Sequence, residues 1–113
     1  MTKEALIQEY LRLTKTVLPQ KARESRWILT QDHCFQRVIL DSLFQDCWYH
    51  YLDKPAYQHL TEIQLINAIF AANQILASGN EYLKSLNCQS LKWRGKASGC
   101  VAKTGEGTKT PES

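Results

Sequence analysis

The stretch QDHCFQRVILDSLFQDCWYHYL, from Gln31 to Leu52, decides the fold that we predict for this chain. It contains neither glycine nor proline, and it is long enough for about six turns of α-helix. Apolar side chains point in almost every direction around such a helix, which is typical of a central and mostly buried element. One line of polar residues at intervals of four interrupts them: His33, Arg37, Asp41 and Gln45. We therefore predict a buried central helix whose chemistry, if any, lies along that line.

The segment before the central helix predicts one long helix and one short one. Apolar residues recur at helical spacing after Thr2, which is a suitable N-cap. Pro19 is expected to break or kink this helix, because proline lacks a backbone N–H, so a short helix from Pro19 to Arg26 should follow. Thr30 is the expected cap of the central helix.

The segment after the central helix predicts two more helices. Lys54-Pro55 marks the stop of the central helix near Asp53. Thr61 and Gln64 form a capping-box pattern that opens a helix from 62 to 77, which is closed by glycine at 79. A last helix is expected from 81 to about 93. No segment alternates with period two, so the predicted fold is all-α: a single compact bundle of four main helices plus one short helix.

The composition predicts one soluble domain with a different C-terminal segment. The chain has 113 residues, 43% of them hydrophobic and 22% charged, with a net charge of +3. Five basic and two acidic residues follow position 91, so the whole excess lies there and residues 1–91 are neutral. We predict a helical domain over 1–95 and a flexible basic tail over 96–113. No run of residues is apolar enough for a membrane span, and the N-terminus is not a secretory signal, so the expected compartment is the cytoplasm.

The four cysteines fit that compartment as reduced thiols: Cys34, Cys47, Cys88 and Cys100. Cys47 and His50 at helical spacing could supply two zinc ligands, but a tetrahedral structural site needs four. No second pair with a recognised spacing accompanies them. We therefore expect no metal, no cofactor and no catalytic residue.

The polar line is the leading candidate for a ligand site. His33, Arg37 and Asp41, together with Arg94 near the end of the last helix, could hold a small anion with an arginine as the bidentate donor. The structural alternative is a network that ties the central helix to a neighbouring element, since a buried charge must be paired. Both interpretations remain open from sequence.

The end of the last helix is a second candidate site, for nucleic acid. Lys92, Arg94 and Lys96 surround Trp93, and cations with an indole can contact phosphates and stack on a base. The same residues also describe an ordinary helix C-terminus, where cations favour the negative end of the dipole.

Three groups of residues form a combined pattern between about 27 and 96. They are Asp32-His33-Cys34-Phe35 with Arg37; Lys54-Pro55-Ala56-Tyr57 with His59-Leu60; and Leu86-Asn87 followed by Ser90-Leu91 and Trp93-Arg94-Gly95-Lys96. The pattern resembles a group of short, uncharacterised bacterial proteins, some of which are labelled acetyltransferase-like. The resemblance implies a shared site at Asp32, His33, Arg37 and the 93–96 corner. It implies no activity, because the Arg/Gln-x-x-Gly-x-Gly/Ala turn of GNAT-type acetyltransferases is absent.

The function expected from sequence is therefore a small, non-enzymatic helical binding or accessory protein. Its partner would be another protein or a small anionic ligand. Nucleic-acid binding through the basic C-terminal end is the first alternative, and an acetyltransferase-like enzyme is the second. A homodimer is also possible, and the apolar strip of the first helix is the candidate dimer face.

Overall fold

The structure, a computed structural model, describes residues 2–95. Within that range 79% of the residues are helical and none forms a strand, which confirms the predicted fold class. The predicted tail at 96–113, including Lys96, lies outside the described residues. The helical segments in chain order are α1 (Lys3–Arg12), a π-helical turn (Leu13–Val17), α2 (Leu18–Ser25), α3 (Asp32–Phe44), a 3₁₀ turn (Trp48–His50), α4 (Ala56–His59), α5 (Glu62–Ser78) and α6 (Asn80–Trp93).

The first helical segment runs from α1 through the π turn into α2 without a break. The Thr2 side chain accepts a hydrogen bond from the Ala5 N–H at 3.1 Å, so the predicted N-cap is confirmed. Pro19 does not start a separate helix. The π turn shifts the hydrogen-bond register just before it, and proline in the first turn of α2 has no interior N–H to lose. The short helix of the bundle is α4 instead.

The central helix α3 is shorter than its sequence predicts. It ends at Phe44, and Gln45 adopts the left-handed conformation with φ 55°. The chain then turns back and forms only the 3₁₀ turn. At its other end α3 begins at Asp32 with Gln31 as the cap residue, so the expected cap by Thr30 is wrong by one position.

The second half of the bundle follows the predicted boundaries closely. Thr61 and Gln64 form the capping box at the start of α5, with both reciprocal hydrogen bonds present. Gly79 ends α5 with φ 82°, a conformation that favours glycine. The Asn80 side chain accepts the Ile28 N–H at 3.0 Å, so it ties the 26–31 connector to the start of α6.

The core lies where α5 packs against α1, α3 and α6, and where α3 packs against α6. Its fully buried side chains are mostly aliphatic and come from every long helix. The largest of them are Tyr10, Leu13, Leu18, Phe35, Ile39, Leu60, Leu65, Ile75 and Leu83. Among the helices of residues 2–95, none combines the length and apolar character that a membrane crossing requires.

Candidate functional site

Asp41 lies at the centre of a group of hydrogen bonds between described residues of α3 and α6. Its carboxylate is fully buried and accepts four hydrogen bonds. Arg94 donates two of them, from Nε at 2.7 Å and from Nη2 at 3.0 Å. The Ser90 hydroxyl donates at 2.6 Å, and the Trp48 N–H donates at 3.0 Å. A buried carboxylate is tolerated only when it is paired and bonded in this way.

The end of α3 explains how the Asp41 carboxylate reaches a backbone N–H beyond the helix. The left-handed residue Gln45 bends the chain back, and the Asp46 N–H still bonds to the Asp41 carbonyl at 3.2 Å. The next segment is thereby turned so that the Trp48 N–H faces the Asp41 side chain. Asp41 is therefore both an ion-pair partner and the acceptor that holds the turn after α3.

Arg37 extends this arrangement toward the middle of α6. Its Nη1 donates to the Ser90 hydroxyl and its Nη2 to the Asn87 amide oxygen, each at 2.8 Å. Ser90 is buried and bridges the two charged groups, because its oxygen accepts from Arg37 while its proton goes to Asp41. We call the set Arg37, Asp41, Asn87, Ser90 and Arg94 the buried network; it joins α3 to α6.

The Arg94 guanidinium is held from two sides. Its hydrogen bond to Asp41 raises the pKa of Arg94 above its usual value, although partial burial acts in the opposite direction. The guanidinium carbon also lies 5.0 Å from the centre of the Tyr49 ring, a cation–π distance. Only 16% of the Arg94 side chain is exposed. Two of its five N–H donors are therefore used on Asp41, and its cationic face lies against Tyr49.

The predicted polar line divides into two parts in the structure. Arg37, Asp41 and Arg94 come together in the buried network, which is the structural alternative for the line. His33 does not join them: its side chain is 72% exposed, and Nδ1 lies 3.8 Å from Asp32 Oδ1. Gln45 is exposed at the end of α3. The ligand-binding role of His33, Arg37, Asp41 and Arg94 stays a prediction, with His33 away from the other three.

The residues predicted to contact nucleic acid differ in how accessible their charged groups are. Lys92 is exposed on α6, whereas Arg94 is engaged by Asp41 and Tyr49. Lys96 lies outside the described residues.

An open groove of about 490 Å³ lies elsewhere, between α1 and α4. Its lining residues are Lys3, Glu4, Ile7, Gln8, Leu11, Tyr57 and Gln58.

The turn after α3 brings three potential metal ligands together. A carboxylate oxygen of Asp46, Sγ of Cys47 and a ring nitrogen of His50 all lie within 4.8 Å of one another. Sequence spacing indicated only Cys47 and His50, because both were expected on one continuous helix. Asp46 joins them because α3 ends before it. The contiguous pattern Asp-Cys-x-x-His was the available signal.

The exposed apolar face on α5 is, like the position of Asp46, a feature that the sequence pattern did not predict. Ile63, Ile66 and Phe70 are 70%, 52% and 65% exposed, and their spacing places them on one side of the helix. We call these three residues the α5 face. In contrast, the apolar side chains of α1 other than Ala5 are buried or half-buried, and the dimer strip expected there stays a prediction. The signal for α5 was a helix that is apolar all round.

The cysteines agree only in part with the predicted reduced state. Cys34 and Cys47 are free thiols, as expected. Cys88 is disulfide-bonded, so the expectation of a reduced thiol is wrong at that position. Cys100 lies outside the described residues.

The class that the fold defines is an all-α helical bundle. Comparison of the chain with protein-family models, with curated proteins and with solved structures finds no match. The resemblance to short acetyltransferase-like bacterial proteins therefore stays an expectation from sequence.

Proposed function

We propose that this protein is a small helical binding protein that acts through the α5 face. The observation that carries the proposal is the exposure of Ile63, Ile66 and Phe70 on one side of a helix whose other side is core. Single exposed apolar side chains are ordinary on soluble proteins, but a contiguous group on one helix marks an interaction surface. A surface that binds a charged partner would instead carry charged side chains beside these three residues.

The absence of charge on α5 after its first residue, Glu62, favours a second copy of this chain as the partner. Between Ile63 and Gly79 the sequence contains no Asp, Glu, Lys, Arg or His. Two such faces can meet without repulsion, and a strongly charged partner would find nothing to complement. The exposed side chains of Asn67 and Gln74 offer both donors and acceptors, so they are self-complementary around a two-fold axis.

The size of the face predicts how tight such a dimer is. α5 has 17 residues, so it is about 25 Å long. Stable interfaces begin at about 1,200 Å² in total, and three exposed apolar side chains on one helix form a small contact by that standard. We therefore expect a dimer that exchanges with monomer, so its detection requires measurements over a range of concentrations.

The other functions expected from sequence have less support. An anionic ligand would have to compete with Asp41, Ser90 and Asn87 for the two arginines of the buried network. Nucleic-acid binding would rest on Lys92 and on a segment outside the described residues, and an acetyltransferase-like activity has no motif. The cytoplasm stays the proposed compartment; the free thiols of Cys34 and Cys47 favour it and the disulfide at Cys88 opposes it.

Charge complementation at Ile66 tests the proposal. Ile66→Glu and Ile66→Lys each place a charge on the α5 face, so each variant alone should be monomeric by light scattering coupled to size exclusion. An equimolar mixture should recover the dimer, because the opposite charges face each other across the two-fold axis. If the mixture stays monomeric while the wild type is dimeric, Ile66 does not face its counterpart across the two-fold axis. A monomeric wild type would overturn the second copy as partner.

A further inference from the structure

The turn between α3 and the 3₁₀ segment holds a group of donors that the binding function does not use. Asp46, Cys47 and His50 each offer one atom, and these atoms lie within 4.8 Å of one another. Asp46 Oδ2 and His50 Nδ1 are already 3.5 Å apart. The ligands of a tetrahedral zinc ion stand about 3.5 Å from one another, given metal–ligand bonds of about 2.0–2.3 Å. Closing the site therefore needs only a small movement.

We propose that Asp46, Cys47 and His50 bind one Zn²⁺ ion, with a fourth coordination position left to water. The donor set is one carboxylate oxygen, one thiolate and one imidazole nitrogen, which are the three ligand types that zinc takes in proteins. Three protein ligands and an open position distinguish this site from a closed structural site with four.

The charge of the ligands supports a dipositive ion at this place. Cys47 is buried and Asp46 is half-buried. One carboxylate and one thiolate together carry two negative charges, which Zn²⁺ neutralises, and the imidazole adds none. A neutral assembly is the arrangement that a partly buried position tolerates best.

The surroundings of Asp46 already fix its carboxylate. The Cys47 N–H donates to Asp46 Oδ1 at 2.7 Å, and the Tyr51 hydroxyl donates to Oδ2 at 3.3 Å. Hydrogen bonds of this kind orient metal ligands and raise affinity. His50 is exposed on the solvent side, so its ring can rotate onto the ion without repacking the core.

Binding exchanges a proton for the metal. The Cys47 thiol now points its Sγ at the Trp93 carbonyl oxygen, 3.7 Å away. When the sulfur–zinc bond forms, the thiol proton goes to solvent and this weak hydrogen bond is lost. The bond that breaks is S–H and the bond that forms is S–Zn, with no change of oxidation state.

The test is an anaerobic titration of the full-length protein without added reductant, so that the disulfide at Cys88 stays intact, with Co²⁺ as a spectroscopic substitute for zinc. We expect one Co²⁺ per chain, a sulfur-to-cobalt charge-transfer band, and displacement of Co²⁺ by Zn²⁺. His50→Ala and Asp46→Asn change exposed or half-exposed side chains and should weaken binding at least tenfold. Cys47→Ser should abolish the charge-transfer band.

A matched pair of control variants uses the same ligand types elsewhere on the chain. His33→Ala and Cys34→Ser remove an exposed histidine and a half-buried free cysteine outside the cluster, so they should bind as the wild type does. A folded wild type without a charge-transfer band would overturn the proposal. Equal Co²⁺ affinity of His50→Ala and the wild type would overturn it as well.

Discussion

The carboxylate of Asp41 and the guanidinium of Arg94 form a two-bond ion pair, 2.7 Å and 3.0 Å long, between residues 53 positions apart in the chain. The pair joins the last turn of α3 to the residue that follows α6. It also encloses the Ser90 hydroxyl, which bonds to the same carboxylate. The helices α3 and α6 pack through core side chains along their length, and this ion pair joins them at one end.

Replacing Asp41 with alanine should cost about 3–5 kcal/mol of unfolding free energy, because it leaves the Arg94 charge and the Ser90 hydroxyl partly buried without their acceptor. Urea unfolding followed by circular dichroism measures the loss. Asp32→Ala is the matched control: its carboxylate pairs with Lys15 on the surface and should cost less than about 1 kcal/mol. Similar losses for the two variants would contradict the role assigned to Asp41.

Arg37 should contribute to stability in part through its hydrogen bond to Ser90. Arg37→Ala and Ser90→Ala each break the 2.8 Å bond between them, so a double-mutant cycle should give a coupling energy of about 0.5–3 kcal/mol. A ligand-binding arginine that the fold does not need would behave differently. In that case Arg37→Ala would leave the unfolding midpoint unchanged and the cycle would show no coupling.

Tyr10 should be replaceable by phenylalanine without loss. Its hydroxyl is buried and has no hydrogen-bond partner among the described residues, and burial raises the pKa of this phenol well above its usual range. Removing an unsatisfied polar group should leave stability equal or raise it by up to about 1–3 kcal/mol. The thermal midpoint of Tyr10→Phe checks this. A lowered midpoint would indicate that the hydroxyl has a bonding partner.

Asp32 should make the stability of the folded protein depend on pH in the acidic range. Partial desolvation acts to raise its pKa, but the His33 N–H and the Lys15 ammonium outweigh it and hold the pKa below its usual value. Because the folded-state pKa is the lower one, the stabilisation is present above the unfolded pKa of about 3.9 and is lost as the pH falls through the folded value. The difference in thermal midpoint between wild type and Asp32→Asn should therefore shrink on acidification below about pH 4. A constant difference would contradict it.

The sequence predicted the all-α class and the bounds of the second half of the bundle because periodicity and caps are local signals. The capping box at Thr61 and the stop at Gly79 depend only on neighbouring residues, and both lie where predicted. The end of α3 was mispredicted because it depends on distant partners. The Asp41 carboxylate that accepts the Trp48 N–H is also bonded to Arg94 and Ser90, which lie about 50 residues further along the chain.

The candidate sites show the same division. The spacing of Arg37 and Asp41 correctly placed them near each other, and the structural alternative already required partners for them. The identity of those partners, Asn87 and Ser90, could not follow from spacing, since it depends on how α6 packs against α3. The α5 face was missed because apolar residues on a helix look alike in sequence whether they face a core or solvent.

Sedimentation velocity of the wild type and of Phe70→Glu, over a hundredfold range of concentration, tests the proposed binding surface most directly. If the α5 face is a dimer contact, the sedimentation coefficient of the wild type rises with concentration from the value of a monomer to that of a dimer. Phe70→Glu should remain monomeric throughout, because the interface would bury its charge. Thr16→Glu adds the same charge at an exposed position on the π turn and should behave as the wild type. A wild type that stays monomeric, or a Phe70→Glu variant that dimerises equally well, would rule out the α5 face as the dimer contact.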